Sequence, residues 1–222
     1  NLLDTAQKVA SIDETGKRLI SVDILKDIIK QGTVYYDKNS DEHYDHLSAF
    51  HKSLRGSDPD AAIYWLAKML CGGEDPLIIA RRLWIAASED VSNADPMAFL
   101  IAGQAYEAIK NLGLPEGRIP LAQATLYVAN APKSNSAYLA IDKAMKDVQS
   151  GKSYPVPMHL KDAHYKDAHK YGFGNDYIYT HDNPDAKQTF LPKELQNANY
   201  YTPKHKNEKT KTDLYSKLSH PS

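Results

Sequence analysis

The stretch from Pro59 to Cys71 reads Pro-Asp-Ala-Ala-Ile-Tyr-Trp-Leu-Ala-Lys-Met-Leu-Cys, and among its interior positions only Asp60 and Lys68 are polar. Asp58 before Pro59 is a helix-start signal: a carboxylate can cap free backbone N–H groups, and proline loses nothing at the first helical position. A helix this apolar cannot be an ordinary surface helix with one greasy stripe, because a rod that hides nearly every face needs neighbours on every side. The segment points to a helical assembly domain more than to a catalytic cleft.

The same punctuation recurs. Asp75-Pro76 and Asp95-Pro96 repeat the cap-plus-proline start, Gly72-Gly73 and Gly113 supply stops, Pro120 opens a helix that Pro132 closes, and Ser134 or Asn135 caps another that ends near Gly151. The spacing predicts helices over 59–71, 76–88, 96–112, 120–131 and 135–150. Their starts are unequally spaced, which argues against a solenoid, and their short connections favour antiparallel pairs. The fold class is therefore all-α, an antiparallel helical array.

Upstream, residues 1–31 read as helical. Ser21 can cap a helix carrying Val22, Ile24, Leu25, Ile28 and Ile29 on one broad face, and Gly32 stops it. Residues 33–45 are polar and tyrosine-rich, a linker between packed units. Downstream of 152, prolines, glycines and tyrosines dominate. A short helix is expected over 158–170, and the lysine-rich residues 204–222 are expected as an extended tail laid over the helical body. These shifts divide the chain at 1–32, 33–152 and 153–222.

The 222 residues are 42% hydrophobic, enough for a real core, and the net charge of −1 excludes a global field that would draw nucleic acid or acidic membrane. Cys71 is the sole cysteine, so no internal disulfide forms, which fits a reducing cytosol. The apolar runs are broken by charge before membrane-spanning length. Asn1 is neither a start methionine nor part of a signal-peptide pattern, so the chain is expected to be cut from a longer protein.

Candidate chemistry is sparse. Gly151-Lys152-Ser153 imitates the end of a phosphate-binding loop, but Lys146 stands where the upstream glycine belongs, and a helix precedes it where a strand should. It reads as a helix stop. Thr15-Gly16-Lys17-Arg18 also lacks the upstream glycine. His159, His164 and His169 recur every five residues, which rotates them off a common helical face and does not match helical zinc ligands. His43 and His46 sit among acids and read as structural. Cys71, beside glycines at the end of an apolar helix, reads as a buried small hydrophobe rather than a thiolate nucleophile. No catalytic, cofactor-binding or metal residue is assigned.

Two residue sets remain. Lys52, Arg55, Arg81 and Arg82 are candidates for DNA or interface contact; Arg81 and Arg82 could grip phosphates, pair with Glu74, Asp75, Glu89 or Asp90, or line a subunit boundary. Tyr64, Trp65, Trp84 and Phe99 are candidate oligomer-interface residues. Central helices of an array explain part of the apolar load, and subunit contact explains the surplus.

Longer signatures carry a family resemblance. They are His43-Tyr44-Asp45; the run from Ser48 through Ala49-Phe50-His51-Lys52-Ser53-Leu54-Arg55-Gly56-Ser57-Asp58-Pro59 to Ala62; Gly73-Glu74-Asp75-Pro76; Ala80-Arg81-Arg82-Leu83; Ser88-Glu89-Asp90; Ala94-Asp95-Pro96; Leu121-Ala122-Gln123-Ala124; Ala131-Pro132-Lys133-Ser134-Asn135; Val156-Pro157; and Phe190-Leu191-Pro192. Over most of residues 1–203 the chain resembles the C-terminal region of the replication-associated recombination AAA+ ATPases, the RarA or MgsA proteins, related to the Werner-helicase-interacting protein. After Tyr200-Tyr201-Thr202-Pro203 it departs from the family pattern.

The resemblance implies a clamp-loader-related ATPase acting at stalled replication forks. Residues 1–32 would end the helical lid, and residues 33–152 would form a collar-like domain that makes tetramers. ATP and magnesium would belong to the parent protein, whose Walker motifs this chain lacks, so the chain alone is not expected to be an enzyme. The implied partners are further copies of itself, DNA through the parent, and single-stranded-DNA-binding protein or other replication proteins. A cytoplasmic, nucleoid-associated location and no membrane contact follow. Two rivals stand beside this reading: a monomeric helical module that recruits a repair partner through its tyrosine-rich tail, and, ranked last, a histidine-dependent metal hydrolase.

Overall fold

The computed structural model describes residues 11–12, 18–23, 26, 41–164 and 168–209. Ser11–Ile12 (β1) and Arg18–Leu19 (β2) pair antiparallel, Ser11 opposite Leu19 and Ile12 opposite Arg18. The helical reading of residues 1–31 is thus corrected at these four positions. The sequence between the strands contains Thr15 and Gly16, weak helix formers, and Ile12 is β-branched. Val22, Asp23 and Lys26 are helical, as expected after Ser21. Ile24, Leu25, Ile28, Ile29 and residues 33–40 lie outside the described residues.

The architecture is otherwise all-α. Helices α1 (Asp41–Arg55), α2 (Pro59–Cys71), α3 (Pro76–Ala86), α4 (Met97–Leu112), α5 (Arg118–Asn130) and α6 (Ser136–Gln149) follow one another. Helix α1 takes in residues 41–45, which the polar composition had suggested as linker. Its helical state follows from Leu47, Phe50 and Leu54, which repeat at i, i+3 and i+7 and are fully or nearly buried.

Local chemistry explains most boundaries. Asp58 accepts a hydrogen bond from Ala61 N at 2.9 Å, and Asp75 accepts one from Leu77 N at 2.9 Å. The third Asp-Pro pair behaves differently: Pro96 occupies the cap position and α4 begins at Met97. Helix α5 starts at Arg118, so Pro120 falls within its first turn, where its missing N–H would have had no intrahelical partner. Ala131, which precedes Pro132, is extended at φ −66° and ψ 151°, the region a following proline imposes. Gly113 ends α4 at φ +69°. Helix α3 passes into a π-turn, Ala87–Val91, and a 3₁₀ turn, Ser92–Ala94.

The chain divides into two compact units. The first is Asn1–Ala87 with Pro96–Ala131, and the second is Ser88–Asp95 with Pro132–Ser222. In the first, α4 packs on α3 and α5, and α2 packs on α1 and α5. One stripe of each helix is buried: Ala62, Leu66 and Met69 on α2; Ile79, Ala80, Leu83 and Ala86 on α3; Ala98, Ala102, Ala105 and Ile109 on α4; Leu121, Ala124 and Val128 on α5. The many alanines in these stripes let the axes approach closely.

In the second unit α6 packs against Ser92–Ala94, and the rest is irregular, with 3₁₀ turns at Met158–Leu160, Ala168–Tyr171 and Lys193–Leu195. The expected helix over 158–170 is therefore broken. Asp162 Oδ1 accepts the backbone N–H of His164 at 3.0 Å, a side-chain turn that competes with helix formation. His159 instead meets Thr189 O at 2.9 Å, and His164 is exposed. Among the described residues, no helix is long and apolar enough to cross a membrane.

Candidate assembly surface

Helix α3 turns Ile79, Ala80, Leu83 and Ala86 inward, so Arg81, Arg82 and Ile85 must face out. Trp84 lies at the margin, half-buried. On α4 the buried alanine stripe sends Met97, Phe99 and Leu100 outward. Between the two helices the Trp84 ring lies 5.4 Å from Phe99 and 5.8 Å from Tyr106, and the Arg81 guanidinium lies over the Tyr106 ring at 5.9 Å. Gly103 makes room for the indole: a Cβ there would sit 2.9 Å from Trp84 Cζ2. The indole N–H is buried and has no hydrogen-bond partner among the described residues, so packing and ring contacts seat it.

Trp84 and Phe99 are thus brought together. Tyr64 and Trp65 form another aromatic group on α2, with ring centroids 5.1 Å apart, Lys68 over Trp65 at 5.3 Å and His46 at 5.7 Å from it. Tyr64 is exposed and Trp65 half-buried. Lys52 and Arg55 are exposed on the last turn of α1, where Arg55 Nη2 meets His51 Nε2 at 3.0 Å. Arg81 and Arg82 make no salt bridge among the described residues, which corrects the pairing with Glu74, Asp75, Glu89 or Asp90; the inward stripe of α3 holds both guanidiniums on the outer face. Cys71 is exposed, not buried: as the last residue of α2 it has rotated away from the Ala62–Leu66–Met69 stripe.

The apolar surplus on this unit is large. Ile85, Phe99 and Leu100 are 44–56% exposed, and Met97, Leu112, Ile119 and Leu126 also reach solvent. The sequence counts all three in the apolar load but singles out only Phe99, not Ile85 or Leu100, as an interface residue. Their spacing against the buried alanines of α4 and α3 was the available signal.

The second unit is held by polar groups. Glu208, 6% exposed, accepts hydrogen bonds from Ser134 Oγ at 2.9 Å, from Ser136 Oγ, and from the backbone N–H groups of Lys204 at 2.7 Å and His205 at 3.0 Å. Burial pushes this carboxyl up, but the bonds from Ser136, Lys204, Ser134 and His205 outweigh burial and hold it below the usual glutamate range. Asn207 adds a bond to Ala94 O at 2.8 Å. Along α6, Lys143 Nζ donates to Asn199 O at 3.2 Å, and Asp147 accepts from Lys152 at 2.8 Å and Tyr200 at 3.0 Å. Those two bonds, Lys152 first, hold Asp147 below the usual aspartate range. Nothing local in the sequence links Glu208 to Ser134.

A nucleotide does not fit Gly151-Lys152-Ser153. The N–H of Gly151 donates to Val148 O and that of Lys152 to Asp147 O, so the loop closes α6, with Gly151 at φ +92°.

Comparison with known proteins divides the chain between Arg55 and Gly56, at the end of α1. Residues 56–219 match the family model described as MgsA AAA+ ATPase C terminal, and residues 1–55 match one described as AAA C-terminal domain. The chain is 40% identical over 206 residues to Replication-associated recombination protein A of Escherichia coli K12, covering 91% of this chain and 46% of that protein. It is 43% identical over 222 residues to the protein of the same name from Bacillus subtilis, covering 98% and 52%. Similarity to ATPase WRNIP1 of Dictyostelium discoideum is 35% over 219 residues, covering 90% and 25%. The chain spans about half the length of the bacterial relatives it matches. On these matches, the chain belongs to the MgsA AAA+ ATPase C-terminal family.

Proposed function

We propose that this chain is the self-assembly region of a clamp-loader-related AAA+ ATPase that acts in replication-associated recombination and repair. Residues 1–32 end the lid, residues 33–152 carry the assembly contacts, and residues 153–222 form the C-terminal segment. ATP, magnesium and the ATPase step belong to the parent protein. The observation that carries the reading is the outward face of α3 and α4, where Ile85, Phe99 and Leu100 stay about half exposed around a seated Trp84. Exposed apolar side chains of this kind are what obligate interfaces cover. Tyr64 and Trp65 on α2 are a second set of proposed contact residues. Several copies joined this way hold their ATPase modules at fixed spacing around DNA, and Lys52, Arg55, Arg81 and Arg82 are the cations placed to meet phosphates or a neighbouring copy. The protein works in the cytoplasm near the nucleoid, with single-stranded-DNA-binding protein among its partners.

Light scattering on the chain at micromolar concentration should give a mass several times that of one copy. Ile85→Glu with Phe99→Glu should reduce it while leaving the helical circular dichroism intact. A wild-type monomer at every concentration would remove the proposal.

A second reading is favoured by a different observation. In the irregular segment, Tyr171, Tyr177, Tyr179 and Phe190 are exposed beside an open depression of about 590 Å³ lined by Met158, His159, Asn175 and Gln188. That surface suits a partner protein. Deleting residues 153–222 separates the two: assembly survives if the first reading holds, and only partner capture is lost.

A further inference from the structure

Helix α6 does not cap its own start. Asn135 holds the cap position but makes no side-chain cap hydrogen bond among the described residues, and the first turn, Ser136-Ala137-Tyr138-Leu139, holds no acid. Helices α2 and α3 differ, each capped by its own aspartate at 2.9 Å. A helix start carries free N–H groups and a partial positive charge, which a carboxylate complements. At α6 that carboxylate comes from Glu208. Its Oε1 accepts from Ser136 Oγ and from Ser134 Oγ at 2.9 Å, and Ser134 Oγ in turn accepts the N–H of Ser136 at 3.2 Å. Its Oε2 accepts the N–H groups of Lys204 at 2.7 Å and His205 at 3.0 Å. One carboxylate thus joins the first residue of α6 to a turn of the C-terminal segment.

We infer that residues 199–208 form a releasable strap along α6, and that seating the strap and ordering the first turn of α6 are one coupled event switched at Glu208. Any ligand that draws the strap away therefore loosens the start of α6. The inference is independent of the assembly reading, whose contacts lie on α2, α3 and α4.

Two features make this segment a strap rather than a piece of core. Apolar burial does not hold its end: residues 202–209 read Thr-Pro-Lys-His-Lys-Asn-Glu-Lys, and Thr202, Lys204, Lys206, Asn207 and Lys209 are exposed while Glu208 is buried. Asn207 adds its bond to Ala94 O at 2.8 Å. A buried carboxylate stripped of its donors costs more than a solvated one, so the end has two arrangements, seated with its bonds or released into water. The second feature is reach. Tyr200 donates to Asp147 Oδ2 at 3.0 Å, and Lys143 to Asn199 O at 3.2 Å, toward the far end of α6. Tyr201 also bonds the Ser136 side chain. Ser136 and Asp147 are ~16 Å apart along the helix axis, and the eight steps from Tyr200 to Glu208 can span up to ~26 Å. The strap therefore runs from the last turn of α6 to the first.

The test is amide hydrogen exchange by mass spectrometry on the full chain. It reads the strap, residues 139–142, whose N–H groups bond back to the first turn of α6, and α2 as a control. Glu208→Gln should speed exchange by roughly tenfold, the effect of a lost cap, in both the strap and 139–142, and leave α2 unchanged. Coupling is reciprocal, so Ser134→Ala with Ser136→Ala should free the amides of Lys204 and His205. Adding Asn135→Asp to Glu208→Gln gives α6 a cap of its own, so 139–142 should regain protection while the strap stays released. Faster exchange confined to the strap in Glu208→Gln would overturn the inference, because α6 then starts unaided. Strap amides that stay protected in the serine variants would overturn it as well. Should Glu208→Gln unfold the second unit, Ser136→Ala, which removes one of the four bonds to the carboxylate, reads the same two regions; a rise in both supports the coupling, and a rise in one alone or in neither overturns it.

Discussion

His43 Nδ1 is hydrogen-bonded to the carboxylate of Glu74, tying the first turns of α1 to the connection between α2 and α3 across 31 residues. The Glu74 side chain is 4% exposed, and its other oxygen accepts the N–H of Asp75 at 3.0 Å. Burial pushes this carboxyl above the usual glutamate range, the Asp75 amide partly opposes the shift, and the Asp75 charge adds to it. A raised folded-state value means the fold resists ionisation of Glu74. Stability contributed here is present below the ordinary glutamate range and falls as pH rises through it. Glu74→Gln should flatten that acid-side slope in denaturant titrations, and His43→Ala should cost about 1–3 kcal/mol by removing one partner of a buried carboxyl. An unchanged slope in Glu74→Gln would refute the assignment.

Glu208 has the opposite sign. Its folded value is lowered, so its stabilisation is present above the ordinary glutamate range and is lost as pH falls through the folded value. Glu208→Ala should cost about 2–3 kcal/mol in the second unit. Amide hydrogen exchange at Lys204 and His205, whose N–H groups it accepts, should accelerate first. Protection there that survives the substitution would show that the clasp contributes nothing.

Gly103 should not tolerate a side chain. A Cβ at 2.9 Å from the Trp84 ring forces the indole out of its seat, at a cost of about 1–3 kcal/mol for overpacking. In a Trp65→Phe background, Gly103→Ala should shift the emission of Trp84. Identical emission and melting temperature would contradict the close approach.

The Asp58 cap is a local device with a local effect. Its carboxylate accepts from Ala61 N at an exposed helix end, so Asp58→Ala should lower stability by about 1 kcal/mol, and Asp58→Asn by much less. Equal losses in both would point to a role other than capping.

The proposed phosphate contact of Arg81 and Arg82 has its own signature. Replacing both by alanine should weaken binding of a single-stranded oligonucleotide to the chain. The slope of log affinity against log salt should also fall by roughly 1.4, about 0.7 per lost phosphate contact. An identical slope by fluorescence anisotropy would assign the two guanidiniums to protein contact alone.

Helix limits were readable in this chain because they are set within a turn or two. Asp58 and Asp75 reach N–H groups two or three residues ahead, Pro132 constrains only Ala131, and Gly113 and Gly151 adopt positive φ where they stand. Family membership was readable for a related reason, since signatures such as Gly73-Glu74-Asp75-Pro76 are contiguous. Helix α1 was hidden, because a polar opening masked the stripe of Leu47, Phe50 and Leu54. The helix expected after Met158 gave way to an Asp162 turn that composition could not weigh.

Sequence alone determined the capped starts at Asp58 and Asp75 and the stops at Gly113 and Gly151, and that the apolar load exceeds one buried stripe. Only the tertiary structure decided which side chains carry the surplus. Whether Phe99 or Ala98 faces inward depends on how α4 lies against its neighbours, and whether Glu208 is a solvated tail charge or a buried clasp depends on Ser136, 72 residues away. Capping energies act within a few residues along the chain, whereas burial is set by surfaces that meet only after the chain has folded.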